Sequence, residues 1–199
     1  MTQKDEDVWP TVRPEDLWIY DKLILSRMLG YECGPPGVSV PRPGNYIVRP
    51  ITNLHGMGIS AEIVHIRDRT DDLPVGHFWC QVFEGRHLSV DYMNGNQVLC
   101  VEGHRSSREL YKWDRWATVD DCVPLPTLLT DIASRYTTIN CEFIGSKLIE
   151  VHLRNNPDFE TLHDSIDVVW DGQSTIAPPG KQFVENRDYK RLGFFVPIS

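Results

Sequence analysis

The sequence predicts an α+β chain in which antiparallel sheets form two β-containing lobes that face one another across a cleft. Three observations carry that expectation. Alternating strand segments crowd the middle of the chain, a second hairpin follows later, and an apolar run at helical spacing precedes each of these groups.

A polar lead, residues 1–16, comes first. Glu15 to Leu29 then places Leu17, Trp18, Leu23, Ile24, Leu25, Met28 and Leu29 close to helical period and stops at Gly30, so a helix is expected there. Pro35-Pro36 and Pro41-Arg42-Pro43-Gly44 make the next stretch a connector. Strands are expected over Asn45 to Ile51, Ser60 to Arg67, His77 to Phe83, His87 to Tyr92 and Gln97 to Glu102, the last two joined by an Asn94-Gly95 turn. Leu125, Leu128, Leu129, Ile132 and Ala133 put a helix over Pro124 to Tyr136. Thr138 to Ile144, the Gly145-Ser146 turn and Lys147 to Leu153 make the second hairpin. Asp171 to Gly180 reads as a loop and Phe194-Phe195-Val196 as a returning strand. Residues 17–199 thus form one domain, with a smaller lobe over about 44–84 and a larger one over about 85–199.

Composition narrows the function. The 199 residues suffice for a real core, and 41% hydrophobic with 24% charged residues is ordinary for a globular chain. A formal charge of −8 disfavours binding to nucleic-acid backbones as the main task. Cys33, Cys80, Cys100, Cys122 and Cys141 are odd in number and never spaced Cys-x-x-Cys, which argues for free thiols rather than a disulfide framework or a zinc site. No apolar run approaches membrane-spanning length and the lead has no apolar signal core, so an intracellular, cytoplasmic protein is expected. A Gly-x-Ser-x-Gly elbow is absent, which leaves a nucleophilic hydrolase without support.

The second hairpin concentrates the chemistry. Strand alternation puts Asn140 with Glu142 on one face, and Glu150 with His152 and Arg154. If the turn pairs Ile144 with Lys147, Glu142 falls near Ile149, diagonal to Glu150; one bulged residue would bring the two glutamates face to face. Adjacent carboxylates repel unless a cation joins them, and Mg²⁺ prefers oxygen donors shared with phosphates. Salt bridges to Arg154 and Lys147 on a solvated face are the other reading that these residues allow.

Asn140-Cys141-Glu142-Phe143 followed by Ile149-Glu150-Val151-His152-Leu153-Arg154 resembles the paired metal-binding strands of ATP-grasp enzymes such as biotin carboxylase and carbamoyl phosphate synthetase. The resemblance continues upstream in the same order. Tyr20-Asp21-Lys22-Leu23 is similar to an opening Asp-Lys pair. Tyr46-Ile47-Val48-Arg49-Pro50 with Gly56-Met57-Gly58 is similar to the phosphate-binding strand and its glycine-rich loop. Trp79 to Asp91 is similar to the interlobe hinge. These segments span roughly Leu17 to Asn155.

The resemblance implies a two-lobe ATP-grasp fold that encloses a nucleotide cleft, with ATP and Mg²⁺ as cofactors. Glu142 and Glu150 would be metal ligands, and His152 would stand where an asparagine ligand usually does. Arg154 and Arg105 would act on phosphate or acyl phosphate, with Lys112 a weaker candidate. Lys22, Arg49, Gly56, Met57 and Gly58 would hold phosphates, and Gln81, Val82, Phe83, Glu84 and His87 the adenosine. The implied activity is an ATP-dependent carboxylate–amine ligase working through an acyl phosphate. A catalytically altered ATP-binding or interaction module and a phosphotransferase are the alternatives. The α/β domain that ordinarily precedes this unit is missing from the sequence, so the acceptor would be exposed, macromolecular, or completed by a protein partner or a second subunit.

Overall fold

The computed structural model describes residues 4–52, 58–159 and 163–198. It is mostly antiparallel β, in two sheets, with few and short helices. Helices α1 (Asp5–Val8), α2 (Lys22–Met28) and α3 (Thr130–Ala133) are joined by 3₁₀ turns at Trp9–Thr11, Pro14–Tyr20 and Thr127–Leu129. The smaller sheet contains β1 (Cys33–Gly34), β2 (Gly44–Pro50), β3 (Glu62–Ile66) and β4 (His77–Gln81), in the order β1-β4-β2-β3. The larger contains β5 (His87–Met93), β6 (Asn96–His104), β7 (Arg115–Thr118), β8 (Thr138–Ile144), β9 (Lys147–His152), β10 (Ser165–Trp170), β11 (Lys181–Asp188) and β12 (Arg191–Pro197). Its order is β11-β12-β10-β7-β6-β5-β8-β9.

Helix content is where the structure departs most from expectation. The run Glu15 to Leu29 is not one helix. Asp21, in extended conformation, breaks it, and its carboxylate accepts the Ile24 N–H at 2.8 Å, starting α2 afresh. Pro124 to Tyr136 likewise shortens to a 3₁₀ turn and the four residues of α3. Strands β1, β7, β10 and β11 are additional to those read from the sequence, whereas the Asn94-Gly95 turn forms with φ of 50° and 79°.

Strand alternation sorts the residues around the site. Leu88, Val90, Tyr92, Ile139, Cys141, Phe143, Leu148, Val151 and Leu153 enter one core with Val8, Val12, Ile19 and Leu25 of the N-terminal segments. Burying each large apolar side chain there contributes about 2 kcal/mol. The intervening residues of β5, β8 and β9, among them Ser89, Asp91, Asn140, Glu142, Glu150 and His152, face the other way. Beyond them the same sheet carries a second apolar cluster, built on Val101, Trp116, Val168, Trp170 and Phe194. The smaller sheet has its own core of Tyr46, Val48, Ile66 and Trp79, which leaves Ile47 and Arg49 for its opposite face.

The connector from β4 to β5 touches the β8–β9 turn. Gly85 has φ of +126°, and a Cβ there would lie 2.7 Å from the Gly145 Cα; one on Gly145 would lie 2.8 Å from the Glu84 carbonyl oxygen. Backbone meets backbone, so neither position has a flexible neighbour that gives way. Gly85→Ala is expected to lower unfolding free energy by about 2 kcal/mol, summed from strain and overpacking, as read by urea melts. An unchanged midpoint would show that the two glycines do not hold the connector against the turn.

Candidate functional site

The two sheets enclose a cavity of about 750 Å³. Ile47 and Arg49 of β2 form one wall, and β5, β8 and β9 form the other.

Glu142 and Glu150 are directly opposite one another across β8 and β9. The register runs Ile144↔Lys147 and Phe143↔Leu148, then jumps to Glu142↔Glu150, so Ile149 is the extra residue of a β-bulge. A bulge takes one residue out of the ladder. Here the Ile149 carbonyl accepts a hydrogen bond from Arg49 Nη2 at 3.0 Å, which ties the smaller sheet to the larger at the carboxylate pair. Arg49 is buried, its guanidinium stands 5.3 Å above the Phe78 ring, and its Nε has no hydrogen-bond partner among the described residues.

Each glutamate has cationic neighbours. Lys22 Nζ, on the first turn of α2, lies 3.8 Å from Glu150 Oε2, and His152 Nε2 lies 3.3 Å from Glu150 Oε1. His87 Nε2 lies 3.3 Å from Glu142 Oε2, its ring set against Trp113 with centroids 4.5 Å apart. Burial pushes the Glu142 carboxyl up, but the hydrogen bond and charge of His87, with the charges of His152 and Arg154, outweigh this and hold it below the ordinary carboxylate range. Burial pushes the Lys22 ammonium down, against the opposing pull of Glu150.

Asp5 completes this wall from the other end of the sequence. Its carboxylate lies 2.9 Å from His152 Nδ1 and 2.8 Å from Arg154 Nε, and it is 5% exposed. Burial raises its pKa, yet the charge and hydrogen bond of His152 and those of Arg154 bring it down to about 2. Both ring nitrogens of His152 therefore face carboxylates. Behind Arg154, Asp91 accepts from Asn140 Nδ2 and from the Asn156 N–H, both at 2.8 Å, and so fixes the segment that leaves β9.

Of the residues expected from sequence, Lys22, Arg49, Gly58, His87 and Arg105 line the cavity. So do Glu142, Glu150, His152 and Arg154. Arg105 lies apart from the carboxylates, 5.0 Å above the Trp113 ring, with Nη1 donating to the Leu110 carbonyl. Gly56 and Met57 lie outside the described residues. Gln81, Val82, Phe83 and Glu84 are not among the lining residues. Gln81 Oε1 accepts the Glu32 N–H at 2.8 Å, Phe83 packs edge-on against Tyr31, and Val82 is at the surface.

Sequence reasoning missed Asp5, Trp113 and the Ser89/Asp91 pair. The alternation His87-x-Ser89-x-Asp91 was a readable signal for the last, since it puts three polar residues on one face of a strand otherwise apolar. Asp5 had no signal, because its partners stand 147 and 149 positions away.

Among the described residues no group of three or more His, Cys, Asp or Glu is arranged to hold a metal, and no helix is long and apolar enough to cross a membrane. Two opposed carboxylates nonetheless fit Mg²⁺, which takes one or two protein oxygens and leaves its other positions to phosphate and water.

The chain is structurally similar to ATP-grasp superfamily proteins, at low sequence identity. A crystal structure from Archaeoglobus fulgidus, described as that of an ATP-grasp superfamily protein, superposes with a TM-score of 0.50 at 14% identity, over 91% of this chain and 64% of that one. The present chain thus spans less than two thirds of that protein's length. The ATP-grasp ligase PsnB with a minimal precursor gives a TM-score of 0.45 at 12% identity over 72% of this chain and 54% of its own. An L-amino acid ligase from Bacillus licheniformis gives 0.41 at 11% identity, over 69% and 41% respectively. No family model and no curated protein sequence matches the chain.

Proposed function

We propose that the cavity binds Mg²⁺-ATP and that the protein is an ATP-dependent ligase that joins a carboxylate to an amine or similar nucleophile. The observation that carries this reading is the opposition of Glu142 and Glu150 on a cavity wall that also presents Lys22, Arg49 and Arg154. Lys22, Arg49, His87, Glu142, Glu150 and Arg154, from segments that resemble one nucleotide site, all line this cavity, and the fold likeness to the archaeal ATP-grasp protein supports the reading.

Within this reading Glu142 and Glu150 hold the metal, which when bound supplies charge neutralisation for the phosphates. Lys22 and Arg49 orient phosphate oxygens and stabilise charge on the γ-phosphoryl group as the carboxylate attacks it. Arg49 acts from the opposite sheet, so closure of the two sheets sets its distance to the phosphates. Without nucleotide, His152 stands between Asp5 and Glu150, with each ring nitrogen facing a carboxylate.

The first test is thermal. Millimolar Mg²⁺-ATP is expected to raise the melting temperature by several degrees, as any ligand selective for the native state must, at about 3 kcal/mol for a 100-fold excess over Kd. Absence of any shift with ATP or ADP would sink the proposal. The engagement of Arg154 and His152 by Asp5 favours a second reading, a nucleotide-binding module without turnover. ADP release that requires both a carboxylate and an amine separates the two: ligases give it, and a binding module does not.

A further inference from the structure

Asp5 is an anion already seated among the cations of the candidate phosphate site. Its two oxygens face Arg154 Nε at 2.8 Å, Arg154 Nη2 at 3.3 Å and His152 Nδ1 at 2.9 Å. Arg154 Nη1 is spent on the Asn155 carbonyl at 3.0 Å, and His152 Nε2 on Glu150. While Asp5 stays, its carboxylate fills the space in front of Arg154 Nε and Nη2 and of His152 Nδ1 that a phosphate would take.

The segment around Asp5 is short. Helix α1 has four residues, one turn, and Lys4, Asp5 and Glu6 all line the cavity. Its anchor lies further along, where Val8 enters the core and Trp9 packs edge-on to Tyr20 with centroids 5.7 Å apart. Asp5 takes no part in that anchor. Electrostatics gives it reason to leave, because a divalent cation between Glu142 and Glu150 neutralises those two carboxylates but not Asp5, which would then face the phosphates at close range.

We infer that residues 4–7 form a built-in lid in which Asp5 competes with the nucleotide's phosphates for Arg154 and His152, so that Mg²⁺-ATP binds by expelling it. This rests on the reading of the cavity as a Mg²⁺-ATP site. It assigns the N-terminal segment a regulatory role: whatever holds Asp5 in place weakens nucleotide binding, and whatever draws it away strengthens binding.

Calorimetry on the full chain with Mg²⁺-ATP tests it. Asp5→Asn keeps the shape and removes the charge, and it is expected to bind about tenfold tighter than the unaltered protein, within the usual span of coupling between competing groups. The gain should vanish in Asp5→Asn combined with Arg154→Gln. Equal or weaker binding by Asp5→Asn, while the unaltered protein binds Mg²⁺-ATP in a Glu150-dependent way, overturns the lid and leaves the site reading intact. Failure of both proteins to bind overturns the site reading, and the lid with it. Hydrogen exchange on the unaltered protein gives a readout free of any folding defect: amides of residues 5–7 are expected to exchange faster when Mg²⁺-ATP is added, and unchanged or slower exchange there would overturn the lid.

Discussion

Glu150→Ala is expected to weaken Mg²⁺-ATP binding by on the order of 100-fold, while ATP in the presence of a chelator binds as well as or better than before. The magnitude is that of removing one partner from a buried charged cluster, about 3 kcal/mol, which corresponds to about 100-fold in Kd. The asymmetry between the two conditions follows from the neighbours. Lys22 and His152 both stand beside the Glu150 carboxylate, and deleting it leaves the Lys22 ammonium without that carboxylate. With metal present, half of the carboxylate pair is gone and the loss dominates. Without metal, the same change removes a carboxylate that repels the phosphates. Titration calorimetry in Mg²⁺ and in chelator reads both arms. Equal losses in the two would remove Glu150 from the metal role and make it a structural partner of Lys22.

The residues of that pair could be read from the sequence, and their exact opposition could not. The turn at Gly145-Ser146 and the pairing of Ile144 with Lys147 are local, so strand alternation alone predicts Glu142 beside Ile149. The bulge at Ile149 moves the register by one. It is favoured by something that hairpin periodicity does not contain, namely a guanidinium from another sheet that takes up the displaced carbonyl. Asp5 was hidden for the same reason in a stronger form, as its charge is meaningful only once residues 147 and 149 positions away are folded against it.

Helices were over-read because apolar spacing was weighed without the capping chemistry. Leu17 and Ile24 stand partly in solvent, and Asp21 takes the cap that splits the run. Strand β7 has four residues, too few for periodicity to register, and β11 has an exposed face along much of its length. Both owe their place to neighbours in the sheet, β7 to β6 and β10, and β11 to β12.

Asp16 makes the second large prediction, this time on stability. It lies in the polar lead, yet it is 1% exposed, and its carboxylate accepts from Arg135 Nη2 at 2.6 Å, Arg135 Nε at 3.0 Å and the Tyr136 hydroxyl at 2.9 Å. The Tyr136 hydroxyl in turn accepts the Arg13 N–H at 3.0 Å, so one carboxylate fastens the N-terminal 3₁₀ segment to the turn after α3. Asp16→Asn leaves a buried amide N–H₂ facing a guanidinium and should cost about 2–3 kcal/mol, below the full value for a broken buried pair because Arg135 can turn to solvent. In a chain of this size that lowers the melting temperature by roughly 5–10 °C. The pH dependence fixes the cause. The hydrogen bonds from Arg135 hold the Asp16 carboxyl below its ordinary range, with burial opposing them. A carboxyl whose pKa is lower in the folded than in the unfolded state adds its full stability above the ordinary value and loses it as pH falls through that value and below. The gap between the unaltered protein and Asp16→Asn should therefore be widest near neutrality and close progressively below about pH 4. Urea melts at a series of pH values decide it: a gap that stays constant into acid would mean that packing, and not the charged carboxylate, is what Asp16 supplies.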